Sequence, residues 1–404
     1  MNYFLVGNGF DLNHKFPTRY IDFLHTVQFL IKHKSDKFDT VGEVLGSKEL
    51  TELNPFIKEC YEKHRNIYNS TYLDEDTIQN IISSAEDNMW FKYFCNCTPR
   101  NIGWIDFEKE ILNVLEMFER FFDVDDFFLC NGVIAFDSER VPENVEDKFI
   151  LSQFKFILDF GTQVSAGTSR VIKLKDNYCI EKVVGSSSFY LNVDEIVSDL
   201  YKSLRVLADV LRKYLFCFVD LPAKEYLKMG IKPKFIGLPT PNRVYSFNYT
   251  NVFEELYENP MIDHIHGNTN SNIVLGVNPD MNDEIGTIDT TFLQFKKYFQ
   301  RAFYKTDLDF LDNIKNQRNS RLAFNNDIRL YVIGHSLDST DEDLITQIFD
   351  ISDEILILYH DDISVKNQIK NLVNIYGKEG FDKLREEKEL MFLPQSDVKW
   401  IFPE

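Results

Sequence analysis

The chain has 404 residues, of which 44% are hydrophobic and 27% charged, and its formal net charge is −20. This length allows one large domain or two ordinary ones, and the apolar fraction is that of a globular protein. The acidic balance disfavours a broad electrostatic surface for nucleic acid or anionic membrane, and it still permits a local basic cleft.

The N-terminus and the cysteines indicate a cytoplasmic protein. The first residues lack the basic segment and long apolar stretch of a signal peptide, and no apolar run reaches the length of a membrane span. The six cysteines are scattered, which favours reduced and mostly buried thiols. Their close pair, Cys95 and Cys97, lacks the spacing of a zinc site, so we expect no metal.

A short apolar strand, residues 3–6, runs into the sequence Gly7-Asn8-Gly9-Phe10-Asp11. A buried parallel strand that ends in Gly-x-Gly is how doubly wound α/β folds present backbone N–H groups to a phosphate. No third glycine follows at the spacing of the dinucleotide fingerprint, so a tight turn without a ligand is the alternative. The next residues predict a helix over about 18–34, with one apolar stripe.

Helical patterns dominate the stretch from about 36 to 235. Apolar residues recur at helical spacing over 104–122 and over 193–218, which predicts core helices of a bundle. Glycine and serine are frequent over 160–190, which indicates a loop-rich region with short strands, either a hairpin or a mobile flap. We therefore predict that residues 36–235 form a mainly helical insertion with a short strand and loop region.

Strands and helices alternate again from about residue 242. The predicted strands cover 244–247, 261–265, 273–277, 328–333 and 355–359. The predicted helices cover 251–257, 291–304, 341–349 and 364–376. This alternation is typical of a parallel sheet covered by helices. The predicted fold class is therefore α/β, with a Rossmann-like parallel sheet formed by residues 1–35 and 236–404 and interrupted by the insertion.

Polar residues and glycines cluster directly after the predicted strands. Besides Gly7 to Asp11, the cluster contains Asn248-Tyr249-Thr250-Asn251, His264, His266-Gly267 and Gly334-His335-Ser336-Leu337-Asp338. In a parallel α/β sheet the ligand lies beyond the carboxyl ends of the strands, so this clustering predicts a binding site there. Each group also has a structural alternative, because Asn248 would serve equally well as a helix cap and Ser336 as part of a plain turn.

These residues resemble the AbiH family, which is named for phage abortive infection in bacteria. The opening block of the resemblance is Phe4-Leu5-Val6-Gly7-Asn8-Gly9-Phe10-Asp11-Leu12, with Phe16-Pro17-Thr18, Tyr20 and Asp22-Phe23-Leu24 after it. The later blocks are Trp104-Ile105-Asp106-Phe107-Glu108, Ser246-Phe247-Asn248-Tyr249-Thr250, His264-Ile265-His266-Gly267 and Gly334-His335-Ser336-Leu337-Asp338. The blocks span nearly the whole chain in the expected order.

The family is similar, more distantly, to proteins with the sirtuin-like NAD-binding fold. By that similarity, Gly7, Gly9 and Pro17 match the nucleotide loop, and Gly334 and Ser336 match the late nucleotide-binding block. Asn248 matches the asparagine that positions ribose and water, and His266 matches the general base. Asn8 and Asp11 depart from the small or hydroxyl residues of the sirtuin loop. The four zinc-ribbon cysteines are absent, which argues against a protein deacylase.

The resemblance implies an effector of antiphage defence that hydrolyses NAD at the nicotinamide–ribose bond. The residues implied to act in catalysis are Asn248, His266 and Asp11. The residues implied to bind NAD are Gly7, Asn8, Gly9, Phe10, Pro17, His264, Gly334, His335 and Ser336. An asparagine can orient water against C1′, and a histidine titrates near neutral pH and can take the proton of that water.

Two other functions are compatible with the same residues. The first is a nucleotide-binding sensor or regulatory subunit without catalysis, which the departures at Asn8 and Asp11 favour. The second, weaker alternative is a nuclease that uses Asp11, His266 and a metal. A phage-derived trigger or partner protein and assembly into a homo-oligomer are expected by analogy alone. We expect no membrane partner and no broad nucleic-acid surface.

Overall fold

The structure of the protein is a computed structural model. It describes residues 1–97, 106–122, 127–130, 133–136, 150, 153–154, 157–163, 170–174, 176–181, 184, 188–230, 234–257, 261–278, 290–321 and 327–401. Trp104-Ile105 of the family resemblance and much of the predicted hairpin or flap over 160–190 lie outside the described residues.

The elements are numbered in chain order. The strands are β1 (Asn2–Val6), β2 (Phe127–Cys130), β3 (Val133–Phe136), β4 (Ile157–Gln163), β5 (Arg170–Leu174), β6 (Cys179–Glu181), β7 (Ser188–Leu191), β8 (Lys234–Ile236), β9 (Arg243–Ser246), β10 (Met261–His264), β11 (Arg329–Ile333), β12 (Glu354–Tyr359), β13 (Met391–Pro394) and β14 (Lys399–Ile401). The α-helices are α1 (Asn8–Asn13), α2 (Tyr20–Lys32), α3 (Val41–Leu45), α4 (Lys48–Leu53), α5 (Pro55–Ser70), α6 (Glu75–Glu86), α7 (Met89–Cys97), α8 (Phe107–Phe122), α9 (Val193–Leu215), α10 (Leu221–Lys228), α11 (Val252–Leu256), α12 (Lys297–Tyr304), α13 (Leu308–Arg321), α14 (Glu342–Ile351) and α15 (Asp362–Glu387).

A six-stranded parallel sheet forms the centre of the fold, in the order β10-β9-β1-β11-β12-β13. Counted among themselves along the chain, these strands run 3-2-1-4-5-6, so the direction of winding reverses between β1 and β11. Strands β11 and β12 are apolar and buried almost throughout, as expected where helices cover both faces of a parallel sheet. The predicted α/β class with a mostly parallel sheet is therefore confirmed.

The register of the sheet brings four strand ends into one row. His264 pairs with Ser246, Ser246 with Val6, and Val6 with Ile333. The residues that follow these four positions therefore leave the sheet at the same edge, which we call the carboxyl edge. This register confirms that the polar residues after the predicted strands are brought together.

Two details of the predicted strands are wrong. Residues 273–277 form no strand, and the pairing there is a single isolated bridge between Val277 and Lys296. Their apolar character reflects burial, since Ile273 and Val274 are both inside the protein. Strand β13 was not predicted, because α15 continues past Gly377, which adopts φ +68° inside the helix, and so carries the chain further than the sequence indicates.

The described chain divides into two compact units. The first contains residues 1–82, 209–274 and 297–404, and the second contains residues 83–208 and 275–296. Helices and a six-stranded antiparallel sheet, in the order β4-β5-β3-β2-β7-β6, make up the middle of the chain. The sequence predicts a loop-rich region with short strands there, either a hairpin or a mobile flap, and misses the sheet because very short strands leave little periodic signal. Among the described helices, none combines the length and the apolar character needed to cross a membrane.

Candidate functional site

Three glycines let the loops after β1 and β11 pack backbone against backbone. The Gly7 N–H donates to the Ile333 carbonyl at 3.0 Å, and the Gly9 N–H donates to the Gly334 carbonyl at 2.8 Å. A Cβ on Gly334, which has φ +65°, would lie 2.2 Å from the Phe10 nitrogen. The predicted phosphate turn is thus a close loop contact, and these two N–H groups are directed at protein carbonyls.

The residues after Gly7 form the short helix α1 rather than an extended glycine turn. Phe10 is fully buried and stacks on Phe253, with ring centroids 5.3 Å apart. Pro17 is buried as well, and its carbonyl accepts a hydrogen bond from the Tyr214 hydroxyl at 2.7 Å. Packing against the interior is sufficient to explain why both residues are apolar.

Two of the predicted ligand residues are exposed. The Asn8 side chain donates from Nδ2 to the Thr18 carbonyl at 3.3 Å. Ser336 accepts at its own carbonyl from Asn371 Nδ2 at 3.0 Å. The first contact joins α1 to the segment before α2, and the second joins the loop after β11 to α15. The Asn8 and Ser336 side chains stay at the surface of the carboxyl edge.

Asp11 is the buried acid of this region, with 1% of its surface exposed. Its Oδ2 accepts a hydrogen bond from the Thr250 hydroxyl at 2.6 Å, while its Oδ1 has no hydrogen-bond partner among the described residues. Burial raises the pKa of Asp11 to about 8, and the nearby Asp220 carboxyl adds to the shift, while the Thr250 hydroxyl and the Asn248 side chain act to lower that pKa. We call Asp11, Asp220, Glu254 and His264 the Asp11 cluster.

Asp220 ends a π-helical turn over Phe216–Asp220, a type of turn that occurs often at functional sites. Its carboxyl accepts hydrogen bonds from the backbone N–H and the side-chain amide of Asn251, both at 2.8 Å, and from the Thr269 hydroxyl. Burial raises its pKa to about 7. The sequence does not single out Asp220, because only folding brings it from the middle of the chain to the carboxyl edge.

Asn248 and His264 connect the Asp11 cluster to the loop after β1. The Asn248 side chain donates to the Gly7 carbonyl at 3.2 Å, and the Asn248 carbonyl accepts from His264 Nδ1 at 3.4 Å. His264 Nε2 donates to the Glu254 carboxylate. Burial acts to lower the pKa of His264, but the bond to Glu254 outweighs it and the pKa is raised. Since both ring nitrogens face acceptors, His264 is held as the imidazolium.

A second group of charged side chains, the Asp341 cluster, consists of Asp341, His266, His335 and Lys297. Asp341 Oδ1 accepts from His266 Nε2 and from Lys297 Nζ, each at 3.0 Å. His335 Nε2 lies 3.7 Å from the other carboxylate oxygen of Asp341. Burial acts to raise the pKa of Asp341, but Lys297 and the histidines outweigh it and hold that pKa well below its ordinary value.

His266 differs from the other two histidines in having a ring nitrogen that is not engaged. His335 Nδ1 accepts from the Leu337 N–H at 2.9 Å, which places the proton of that ring on Nε2. His266 donates from Nε2 to Asp341, and its Nδ1 is buried without a hydrogen-bond partner among the described residues. Burial lowers the pKa of His266 and of His335 to about 4, so both rings are neutral at pH 7.

The sequence misses Asp341 and Lys297 as members of a site. The pattern around Asp341 is that of a helix start, and the residue does lie in a 3₁₀ turn directly before α14. Its position seven residues after Gly334 is the only sequence signal. Lys297 begins α12 and carries no signal at all. In the described part of the chain, no three or more His, Cys, Asp or Glu side chains are grouped to hold a metal ion.

The fold and the site define an α/β protein with buried acids and histidines at the carboxyl edge of a parallel sheet. The family model described as bacteriophage abortive infection AbiH matches residues 3–359. The chain belongs to this family, which confirms the family resemblance seen in the sequence. No curated protein and no solved structure matches the chain. The more distant similarity to sirtuin-like proteins stays a prediction.

Proposed function

We propose that the protein hydrolyses NAD at the nicotinamide–ribose bond and that this reaction serves abortive infection. The strand order 3-2-1-4-5-6 supports a Rossmann-like, nucleotide-binding assignment, since it is the order of doubly wound dinucleotide-binding sheets. In such sheets the ligand binds outside the carboxyl ends of the strands, where the winding reverses. Here that point lies between β1 and β11, next to Gly7 and Gly334.

The imidazole of His266 carries the proposal. It is 4% exposed, oriented through Nε2 by Asp341, and neutral at pH 7, so its buried Nδ1 has a lone pair free to accept a proton. A carboxylate that holds one ring nitrogen while the other takes a proton is a common arrangement for a general base. In the proposed reaction, water forms a bond to C1′, the C1′–N bond breaks, and nicotinamide leaves with the electron pair. His266 Nδ1 receives the proton of the water.

Asn248 and Asp11 complete the proposed machinery. Asn248 is 8% exposed and holds the loop after β1 through the Gly7 carbonyl, so it is placed to orient the water and the ribose. Asp11 supplies a buried carboxyl on the same edge of the sheet. Because nicotinamide leaves as a neutral group, the reaction needs no strong acid, and correct positioning supplies much of the rate.

The test is nicotinamide release from NAD by the purified full chain, with and without extract of phage-infected cells. We expect nicotinamide release by the wild-type protein. In His266→Asn the rate should fall by about 100-fold or more, since general-base catalysis contributes at least that much. His360→Ala is the matched control: His360 also follows a strand of the sheet but is exposed, and it should react at the wild-type rate. Equal rates in wild type and His266→Asn would remove His266 from the mechanism.

A non-catalytic nucleotide sensor is the second candidate, and one observation favours it. The N–H groups of Gly7 and Gly9 donate to carbonyls of the β11 loop, so they do not form an open phosphate cradle. Tight binding of NAD in calorimetry, with no nicotinamide after long incubation in either condition, would support this function over hydrolysis. Loss of activity on addition of a chelator would instead favour the metal-dependent nuclease alternative.

A further inference from the structure

Two carboxylate oxygens of the Asp11 cluster are buried without a hydrogen-bond partner among the described residues: Asp11 Oδ1 and Glu254 Oε2. In each side chain the other oxygen is engaged, by the Thr250 hydroxyl for Asp11 and by His264 Nε2 for Glu254. Asp11 lies on α1 and Glu254 on α11, so the two acceptors come from separate elements. A buried acceptor without a donor costs free energy, which a donating ligand would recover.

The charge around these oxygens is also unbalanced. The negative charges of Asp220 and Glu254 both act on Asp11, and no lysine or arginine is among the groups that act most strongly on it. Asp220 itself has its acceptors filled by Asn251 and Thr269, so it adds charge but no free acceptor. His264 is the cation of the cluster, and it is directed at Glu254 and at the Asn248 carbonyl.

We propose that Asp11 and Glu254 form a subsite for the vicinal hydroxyl groups of a ribose. Two oxygens without partners require two hydroxyl groups, and a vicinal diol carries two on neighbouring carbon atoms. A hydroxyl can donate to the Glu254 oxygen, and because it can also accept, it pairs with Asp11, which a pKa of about 8 keeps mainly protonated at pH 7. In doubly wound sheets an acidic side chain beyond the strand ends accepts a hydrogen bond from a ribose hydroxyl, and Asp11 and Glu254 lie on the helices that follow β1 and β9. The inference rests on the proposed function, in that the ligand is a nucleotide, and it identifies which part of that nucleotide the Asp11 cluster recognises.

The test compares two ligands by calorimetry on the full chain: ADP-ribose, and its analogue in which the terminal ribose lacks the 2-hydroxyl. We expect the wild-type protein to bind ADP-ribose about tenfold more tightly than the analogue, as for the loss of one buried hydrogen bond. The ratio of the two affinities should fall in both Asp11→Ala and Glu254→Gln, because both side chains hold the diol. It should come closest to one in the variant that lacks the partner of the 2-hydroxyl. The control is Glu255→Gln on the same helix, which should keep the wild-type ratio.

The outcomes separate this subsite from the hydrolysis proposal. Nicotinamide release with equal binding of the two ligands would overturn the subsite and leave hydrolysis standing. A tenfold preference for ADP-ribose without any nicotinamide release would support the subsite and overturn hydrolysis. Binding that needs added Mg²⁺, or failure of the wild-type protein to bind NAD and ADP-ribose at all, would also overturn the subsite. If Asp11→Ala does not fold, Glu254→Gln decides, since it retains the shape of the side chain.

Discussion

The Asp11 cluster and the Asp341 cluster each hold a buried carboxyl at the carboxyl edge of the same sheet, but their pKa values move in opposite directions. Asp341 touches Lys297, and its pKa lies well below the ordinary value. Asp11 touches the Thr250 hydroxyl, and burial raises its pKa to about 8. Asp11 and Asp341 are the same residue type and both are buried, so the charge of the neighbouring group decides the ionisation of each acid.

The two clusters also differ in how completely their hydrogen-bonding groups are used. In the Asp341 cluster a cation compensates the carboxylate, and the carboxylate in turn orients His266. In the Asp11 cluster two acceptor oxygens have no donor in the described part of the chain. Strongly shifted pKa values with unfilled hydrogen-bonding capacity are typical of functional sites. Under the proposed function, the base would lie in the Asp341 cluster and sugar recognition in the Asp11 cluster.

Loss of the cation should have the largest effect on stability. Lys297 is 1% exposed, and Lys297→Met would leave Asp341 as a buried charge without its strongest partner. We expect a decrease of about 3–5 kcal/mol in the free energy of unfolding, as for other broken buried ion pairs, measured by urea denaturation at pH 7. Lys305→Met, at an exposed site just after α12, should change it little. If both variants lose the same small amount of unfolding free energy, Lys297 does not compensate the charge of Asp341.

Acid should weaken the Asp341 cluster through His266. Its pKa is lowered to about 4 in the folded protein, so its contribution is fully present above the unfolded pKa near 6.5 and is lost as the pH falls towards 4. The stability of the wild-type protein should therefore fall more steeply over this range than that of His266→Asn, by about 3 kcal/mol in total. Urea denaturation at several pH values measures both slopes. Parallel slopes would mean that the pKa of His266 is not lowered in the folded protein.

Alkali should weaken the Asp11 cluster, with a smaller effect. The folded pKa of Asp11 is raised to about 8, so its contribution is fully present below the unfolded pKa near 4 and is lost as the pH rises through 8. Asp11→Asn cannot ionise, and at pH 8.5 we expect it to be more stable than the wild-type protein by about 2 kcal/mol. The exposed Asp362→Asn is the control and should show no such gain. A variant that is less stable at every pH would contradict the raised pKa.

Much of the parallel sheet could be predicted from the sequence. Strands β1, β9, β11 and β12 are short, mostly apolar runs that end at or before glycine or polar residues, and such runs are what burial on both faces requires. The edge strand β10 is only partly buried. The row from His264 to Ile333 follows from the parallel arrangement itself. The run over 273–277 misled the prediction, because a buried segment needs apolar residues whether or not it pairs as a strand.

The glycines show a second limit of the sequence. Gly7, Gly9 and Gly334 fit a phosphate loop, yet their backbones contact one another, and a Cβ on Gly9 would lie 2.7 Å from the Gly334 Cα. A side chain is excluded in either case, so residue type alone does not distinguish a bound phosphate from a neighbouring loop. The contact partner is more than 300 residues away along the chain, and only the folded structure identifies it.

The sequence by itself determined five strands of the parallel sheet, the edge at which Asp11, Asn248 and His266 come together, and the family. Periodicity, glycine positions and local motifs carry that information, because each depends on neighbours along the chain. The tertiary structure alone decided which histidine keeps a free nitrogen and which carboxyl is matched by a cation. Those properties depend on Asp341, Lys297 and Glu254, and the distances between side chains on separate elements are set only when the chain packs.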